Sequence, residues 1–159
     1  VTPLVTIGMA DAHRETYPAR ATEYGPAISY MLGAAAGVDG KDVAAAINSV
    51  NALKGELAAL FDDVDLLLLP AAVEAAAPVG SLERAMVEDS STFGRQFGCT
   101  ITFNMTGSPT ITFPTGFDDG LPIAAQLVGP HFSEDVLLRA AHAFQALTDW
   151  HLRQPPVRA

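Results

Sequence analysis

The sequence predicts an α/β fold, because short apolar segments typical of strands alternate with longer segments of helical periodicity. The clearest helix follows Asp39, where apolar residues recur at steps of three and four. The predicted strands are Leu66–Leu69, Thr110–Phe113 and Ile123–Val128. The last two form a predicted hairpin, because the turn signal Asp118-Asp119-Gly120 lies between them.

Composition narrows the class of protein. The 159 residues are 49% hydrophobic and 17% charged, which indicates one packed globular domain. The net charge of −9 is spread along the chain, so nucleic acid is not expected as a partner. No apolar run reaches the roughly 18 residues that cross a bilayer, and no leader pattern is visible. We therefore expect a cytoplasmic protein that does not bind membranes.

Two helices are predicted in the first part of the chain. Thr6–Thr16 is one, and it stops before Pro18 because a residue preceding proline disfavours helical backbone. Ala27–Ala36 is the other, with Pro26 at a first helical position and Gly37 as the stop.

The long third helix has the strongest pattern. Asp39 and Asp42 lie at its start, where carboxylates favour the exposed N–H groups. One apolar stripe predicts its buried face: Val43, Ala46, Ile47, Val50, Leu53, Leu57, Leu60 and Phe61.

The later elements are predicted from shorter signals. Residues 71–99 have no clear period and read as a long connection with a short helix near Ser91–Phe97, for which Ser90-Ser91-Thr92 is the N-cap. Pro114 is expected to end the second strand. Ser133 is the predicted N-cap of the final helix. The inner face of that helix is expected to carry Val136, Leu137, Ala140, Phe144, Leu147 and, on its last turn, His151.

The sequence predicts too few strands to complete the sheet. Leu66–Leu69 is an unbroken apolar run, which fits a strand buried on both faces, yet only about two further strands are available to pair with it. A connection of roughly 30 residues without structure is also unusual in a lone compact domain. Because the first residue is Val1, either a methionine was removed or the chain begins within a longer protein. We expect the sheet to be completed by other polypeptide.

Local motifs for chemistry are weak. The histidines His13, His131, His142 and His151 are far apart in sequence, so no metal site is expected. Cys99 is the single cysteine, which excludes a disulfide within the chain, and it is interpreted as a buried inert thiol. No nucleophile elbow, phosphate loop or paired-cysteine motif is present.

An ordered series of short motifs resembles the amidase-signature family over essentially the whole chain. Upstream pieces are Tyr24-Gly25-Pro26 and Asp65–Pro70, and the densest part runs from Cys99 to Gly129. The matching pieces within that part are Thr100, Asn104–Pro109, Phe113-Pro114-x-Gly116, Gly120–Ile123 and Gln126–Gly129. After it, the segments Phe132–Leu138, Thr148–His151 and Pro155-Pro156 also match.

The resemblance implies a mixed β-sheet covered by helices on both sides. It also implies hydrolysis of carboxamides through a Ser–cis-Ser–Lys triad, with an acyl-enzyme on the second serine, and it implies no cofactor. The triad of that family lies N-terminal to the region matched here. The only lysines, Lys41 and Lys54, lie outside any matching motif, so we expect no catalytic residue in this chain.

The resemblance transfers a supporting role to one segment. The Thr100–Pro109 loop is expected to line the substrate pocket. The candidate pocket residues are Phe97, Thr100, Phe103, Asn104, Thr106, Gly107, Ser108 and Pro109. Glutamine-using members of the family have an acidic residue shortly before the matched threonine, where this chain has Gln96-Phe97-Gly98-Cys99. Because Phe97 cannot hold an ammonium group, an apolar amide, anilide or carbamate substrate is predicted.

Residues 1–159 are therefore interpreted as the C-terminal portion of a single amidase-signature domain. The expected partner is the N-terminal portion of the same enzyme, as a separate or cleaved chain, and a homodimer is the other assembly considered. The alternative is a truncated relative without activity, which binds a partner through an exposed sheet edge.

Overall fold

A computed structural model describes residues 2–89 and 91–154. The chain divides into two compact units, Val1–Glu56 with Ala77–Gly94 and Leu57–Ala76 with Arg95–Ala159. The helices are α1 (Thr2–Ala12), α2 (Pro26–Ala34), α3 (Gly40–Leu60), α4 (Ser81–Glu88), α5 (Ser91–Thr106) and α6 (Glu134–Ala146). The strands are β1 (Leu67–Pro70), β2 (Thr110–Asp118) and β3 (Leu121–Val128), and single 3₁₀ turns cover Ala21–Glu23, Ala35–Gly37 and Trp150–Leu152.

The first unit begins with α1, which packs against α2, and α2 in turn packs against α4. Helix α1 lies four residues earlier than predicted. It can start at Thr2 because Pro3 falls in the first turn, where a missing N–H costs nothing. Beyond Ala12 the chain continues in turns, and the Tyr24 hydroxyl lies 3.0 Å from His13 Nδ1. The second prediction is confirmed, with Pro26 as the first residue of α2.

The predicted start of α3 is confirmed as a reciprocal cap. Asp39 Oδ1 accepts hydrogen bonds from the N–H groups of Lys41 (2.9 Å) and Asp42 (3.0 Å). The Asp39 N–H donates in return to Asp42 Oδ2 at 3.2 Å, as in a capping box. The apolar stripe is narrower than predicted, because Ala46 and Val50 are buried whereas Ile47 and Leu60 are exposed.

The described strands form one antiparallel sheet in the order β1-β3-β2. The predicted hairpin is confirmed: Asp118 pairs with Leu121, and Asp119 and Gly120 between them both have positive φ, 47° and 80°. Positive φ at both central residues is what a two-residue type I′ turn requires. The prediction that Pro114 ends the strand is wrong. Strand β2 lies at the edge of the described sheet and shifts register between Pro114 and Gly116, so the missing N–H is accommodated.

Helices contact both faces of this sheet. Side chains alternate along a strand, so Phe113 and Gln126, whose register partners are Ala125 and Thr112, point to opposite faces. Phe113 contacts Phe144 of α6, whereas the Gln126 side chain reaches the backbone of α5. The α/β class is therefore confirmed. The pairing seen among the described strands is antiparallel throughout, whereas a mixed sheet was predicted.

The prediction that the Leu66–Leu69 strand is buried on both faces is wrong for this chain. Burial along β1 alternates, and Leu68 is 68% exposed. Strand β1 pairs with β3 along one edge, and no described strand pairs with its other edge. The apolar run therefore predicted the strand correctly, but it did not predict how far the faces of the strand are buried in this chain.

The predicted long connection is wrong in part. The helix expected near Ser91–Phe97 is present as the first part of α5, but α4 also lies within residues 71–99. Ser91 begins α5, while Ser90 of the predicted N-cap cluster lies outside the described residues, as does Pro155-Pro156.

The final helix starts after Ser133 as predicted, but the Ser133 hydroxyl donates to the Pro130 carbonyl oxygen (2.7 Å) and does not cap the helix. The helix ends at Ala146, so Leu147 is exposed and His151 belongs to the 3₁₀ turn that follows. Trp150 of that turn contacts Phe117 of β2, and the Arg153 guanidinium lies over both rings, at 4.6 and 5.6 Å. No described helix is both long enough and apolar enough to span a membrane.

Candidate functional site

The predicted pocket loop is mostly helix. Phe97, Thr100, Phe103, Asn104 and Thr106 lie on α5, which ends at Thr106. Two of the threonine hydroxyls bond back to helix carbonyls: Thr100 to the Phe97 oxygen (3.2 Å) and Thr106 to the Thr102 oxygen (3.0 Å). Such bonds let threonine sit inside a helix despite its low propensity. The expectation that residues 100–109 form a loop is therefore corrected.

Gly107 ends the helix. Its φ is +72°, and the N–H groups of Gly107 and Ser108 both donate to the Phe103 carbonyl oxygen, at 2.9 and 3.1 Å. A left-handed residue at this position is a common way to satisfy the last helix carbonyls. Only Gly107, Ser108 and Pro109 of the predicted residues form the connection to β2.

Burial sorts the eight predicted residues into three groups. Phe103 and Thr106 are buried, and the Thr106 hydroxyl is also within 2.9 Å of Ser108 Oγ, so its hydrogen-bonding capacity is used within the chain. Asn104 and Gly107 are exposed. The others are half-buried: Phe97, Thr100, Ser108 and Pro109.

A second chain segment meets this connection. The Gly129 N–H donates to the Pro109 carbonyl oxygen at 3.1 Å, and a Cβ on Gly107 would lie 3.6 Å from His131 Cε1. His131 was not predicted to lie beside the pocket residues. The hairpin register was the available signal, because pairing of Thr110 with Val128 brings the residues that flank them together.

The described part of the second unit also contains a concavity of about 790 Å³. Its wall is mainly aliphatic, with the carboxylates of Glu74 and Asp118 and the hydroxyl of Thr115 as its polar groups; the other lining residues are 68–73, 75, 76, 117 and 122–125. None of the eight predicted pocket residues lines it. The pocket residues and this concavity are thus separate features of the unit.

Neither lysine is arranged as a buried base. Lys41 Nζ pairs with Asp39 Oδ2 at 3.1 Å with its side chain 86% exposed, and Lys54 is exposed on α3. Cys99 is a half-buried free thiol. Among residues 2–89 and 91–154, no three His, Cys, Asp or Glu side chains are grouped as metal ligands. The absence of a catalytic triad from this chain stays a prediction.

Comparison with known proteins agrees with the motif series. The family described as Amidase matches residues 8–138. AmiD of Mycobacterium bovis, which its name assigns to the amidases, is 38% identical over 149 residues, covering 93% of this chain and 31% of AmiD. A glutamyl-tRNA(Gln) amidotransferase component of Pseudomonas putida (strain F1) is 41% identical over 107 residues, which are 65% of this chain and 20% of that component.

A solved structure shows the same fold. The 6-aminohexanoate cyclic dimer hydrolase superposes with a TM-score of 0.81 over 97% of this chain and 35% of its own, at 23% sequence identity. This chain spans about a third of the length of AmiD and of that hydrolase. With the family matched over residues 8–138, the chain belongs to the amidase (amidase-signature) family.

Proposed function

We propose that this chain forms part of an amidase that hydrolyses carboxamide C–N bonds. The observation that carries the proposal is the family match across residues 8–138. In the proposed reaction a serine oxygen attacks the amide carbonyl carbon, and lysine takes the serine proton through a bridging serine. The C–N bond then breaks as the nitrogen receives the proton, and water hydrolyses the resulting ester. The lysine and both serines are supplied by polypeptide outside this chain.

The unpaired edge of β1 supports the proposal that another polypeptide binds this chain. Its backbone groups have no described strand beside them, and Leu68 presents an apolar side chain that is 68% exposed. An open edge with apolar residues favours addition of another strand. The partner proposed here is the N-terminal portion of the same enzyme.

The proposed substrate is an apolar amide, anilide or carbamate. Phe97 supports it, because an aromatic ring on α5 offers no charge to a substrate ammonium group. The likeness to the amidotransferase component makes glutamine the alternative substrate, and a direct comparison of the two substrate classes separates them.

The test begins with the folded chain purified from cells that produce it. Denaturing mass spectrometry identifies accompanying polypeptides, and a serine-directed fluorophosphonate marks the nucleophile. We expect a second polypeptide that carries the label, together with faster hydrolysis of p-nitroacetanilide or an aryl carbamate than of glutamine. Label on a serine of this chain would contradict the proposed division of labour, and preference for glutamine would contradict the proposed substrate.

A binding module without activity is the second candidate. The same open β1 edge favours it, since strand addition needs no catalytic residues. A chain that is isolated alone, monomeric, cooperatively folded and inactive towards all three substrates would favour this candidate over the amidase.

A further inference from the structure

Gln126 is the one side chain that joins three elements of the second unit, among the hydrogen bonds of the described residues. It lies on β3, the central strand of the described sheet, and is 1% exposed. Its Nε2 atom donates to the Pro70 carbonyl oxygen at the end of β1 (3.1 Å) and to the Cys99 carbonyl oxygen in the middle of α5 (2.5 Å). These contacts bridge residues 56 and 27 positions away in sequence.

Both hydrogens of the amide are thereby used. A carboxamide nitrogen carries two hydrogens in a fixed plane, so two acceptors held by one nitrogen are held in a defined relation to each other. The Gln126 side chain is 1% exposed, whereas Cys99 is half-buried and Pro70 is exposed. Removing the amide therefore breaks two part-buried hydrogen bonds at once and releases the link between α5 and the end of β1.

One acceptor lies among the proposed pocket residues, and the other lies at the concavity. Cys99 is between Phe97 and Thr100, two of the proposed pocket residues, on the turn of α5 that faces the sheet. Pro70 is followed by Ala71, whose N–H donates to the Ala124 carbonyl oxygen at 2.9 Å, and all three of these residues line the concavity. The amide therefore sets where the Phe97–Thr100 turn lies relative to the end of β1.

We infer that Gln126 is a positioning residue for the substrate pocket: it holds the Phe97–Thr100 turn of α5 against the sheet. The pocket role of that turn rests on the proposed function. The mechanical role of the amide does not, because it follows from the two hydrogen bonds alone.

Cys99 is a built-in reporter of this contact. It is the single cysteine, it is half-buried, and its own carbonyl is one of the two acceptors. Because the thiol is half-buried, wild type sets the baseline rate of reaction with a thiol reagent, and a rise above that baseline reports loosening of the turn. The dependence of the rate on low denaturant separates local opening from global unfolding.

The experiment compares Gln126→Leu and Gln126→Glu with wild type, and uses Val128→Ala as the matched control. Val128 is fully buried on the same strand, but its aliphatic side chain has no group that could hydrogen-bond to α5. We expect both Gln126 variants to raise the labelling rate of Cys99 about ten-fold without denaturant, with little denaturant dependence. Val128→Ala should change the labelling rate less than about two-fold there, although it lowers the unfolding midpoint.

Labelling of the Gln126 variants at the wild-type rate, or only in step with the loss of global stability as for Val128→Ala, would overturn the inference. In a preparation that hydrolyses amides, Gln126→Leu should raise KM for the amide and leave kcat nearly unchanged, because it moves a pocket wall and not a reacting group. Ten-fold faster labelling in a preparation that contains the second, serine-bearing polypeptide and still hydrolyses no amide would refute the proposed function while leaving the mechanical role of Gln126 intact.

Discussion

The rings of Phe113 and Phe144 lie 5.0 Å apart, centroid to centroid, inclined at 47°. Phe113 belongs to β2 and Phe144 to α6, so the contact joins the hairpin to the helix that covers one face of the sheet. Phe113 is buried, whereas Leu147, one position beyond the last residue of α6, is 87% exposed. Substitutions at Phe113 and Leu147 therefore test whether the core lies between β2 and α6.

Phe113→Ala should lower the free energy of unfolding by about 3–5 kcal/mol, because it removes a buried ring and leaves a cavity. Leu147→Ala, the control, should change it by less than about 0.5 kcal/mol. Urea unfolding followed by circular dichroism measures both. Equal losses for the two variants would show that α6 does not cover this face of the sheet.

Two glycines should respond to alanine with opposite signs. Gly120→Ala should lower stability by about 1–2 kcal/mol, since its φ of 80° is unfavourable for a residue with a Cβ atom. Gly55→Ala should raise stability by about 0.5–1 kcal/mol, because Gly55 lies inside α3 and its added methyl group meets no atom within 4 Å. Thermal unfolding of both variants is the measurement, and a shift in the same direction would contradict the prediction.

Gly129 and Ser133 should be energetically coupled. A Cβ on Gly129 would overlap Ser133 Oγ and would lie 3.2 Å from Leu66 Cδ2. The serine hydroxyl cannot turn away without losing its bond to the Pro130 carbonyl oxygen. We expect Gly129→Ala to cost about 1–3 kcal/mol.

The cost of Gly129→Ala should be smaller when Ser133 is already alanine, and a double-mutant cycle in urea measures that difference. Additive effects of the two substitutions would argue against the contact.

Asp39 should make the start of α3 sensitive to acid. The hydrogen bond from the Asp42 backbone N–H is the largest of several effects on the pKa of the Asp39 carboxyl, and it lowers that pKa. Desolvation opposes it, but further hydrogen bonds with Lys41 and Asp42 keep the pKa below its ordinary value. The contribution of the cap is therefore fully present above the ordinary pKa of about 3.9 and is lost as the pH falls through the lowered value.

Asp39→Asn keeps a capping oxygen but does not titrate. At pH 7 the wild type should therefore show more helicity at 222 nm than this variant. The difference should disappear at pH 2, where the Asp39 charge is lost. An unchanged difference across this range would mean that the Asp39 charge does not stabilise the helix. The comparison also removes the effect of the other carboxylates, which both proteins share.

Local patterns predicted the elements whose cause is local. The hairpin was predicted from Asp118-Asp119-Gly120, and the last two of these residues supply the positive φ values of its turn. Helix α3 was predicted from its apolar stripe and its acidic start, where Asp39 caps the first N–H groups. The C-terminal half of α5 was missed. Its threonines have low helix propensity and Gly107 follows directly, so Thr100–Thr106 resembles a loop until the burial of Phe103 and Thr106 is known.

The sequence by itself determined the family, the α/β class, the hairpin and the starts of α2, α3, α5 and α6, because each depends on residues close together in the chain or on an ordered motif series. Only the tertiary structure decided which faces are covered. The Leu66–Leu69 run has the same apolar residues whether or not another strand pairs with it. No local sequence pattern around Gln126 predicts its hydrogen bonds to Pro70 and Cys99. Burial and long-range hydrogen bonds depend on what lies opposite a residue in space, and that information is not contained in its neighbours along the chain.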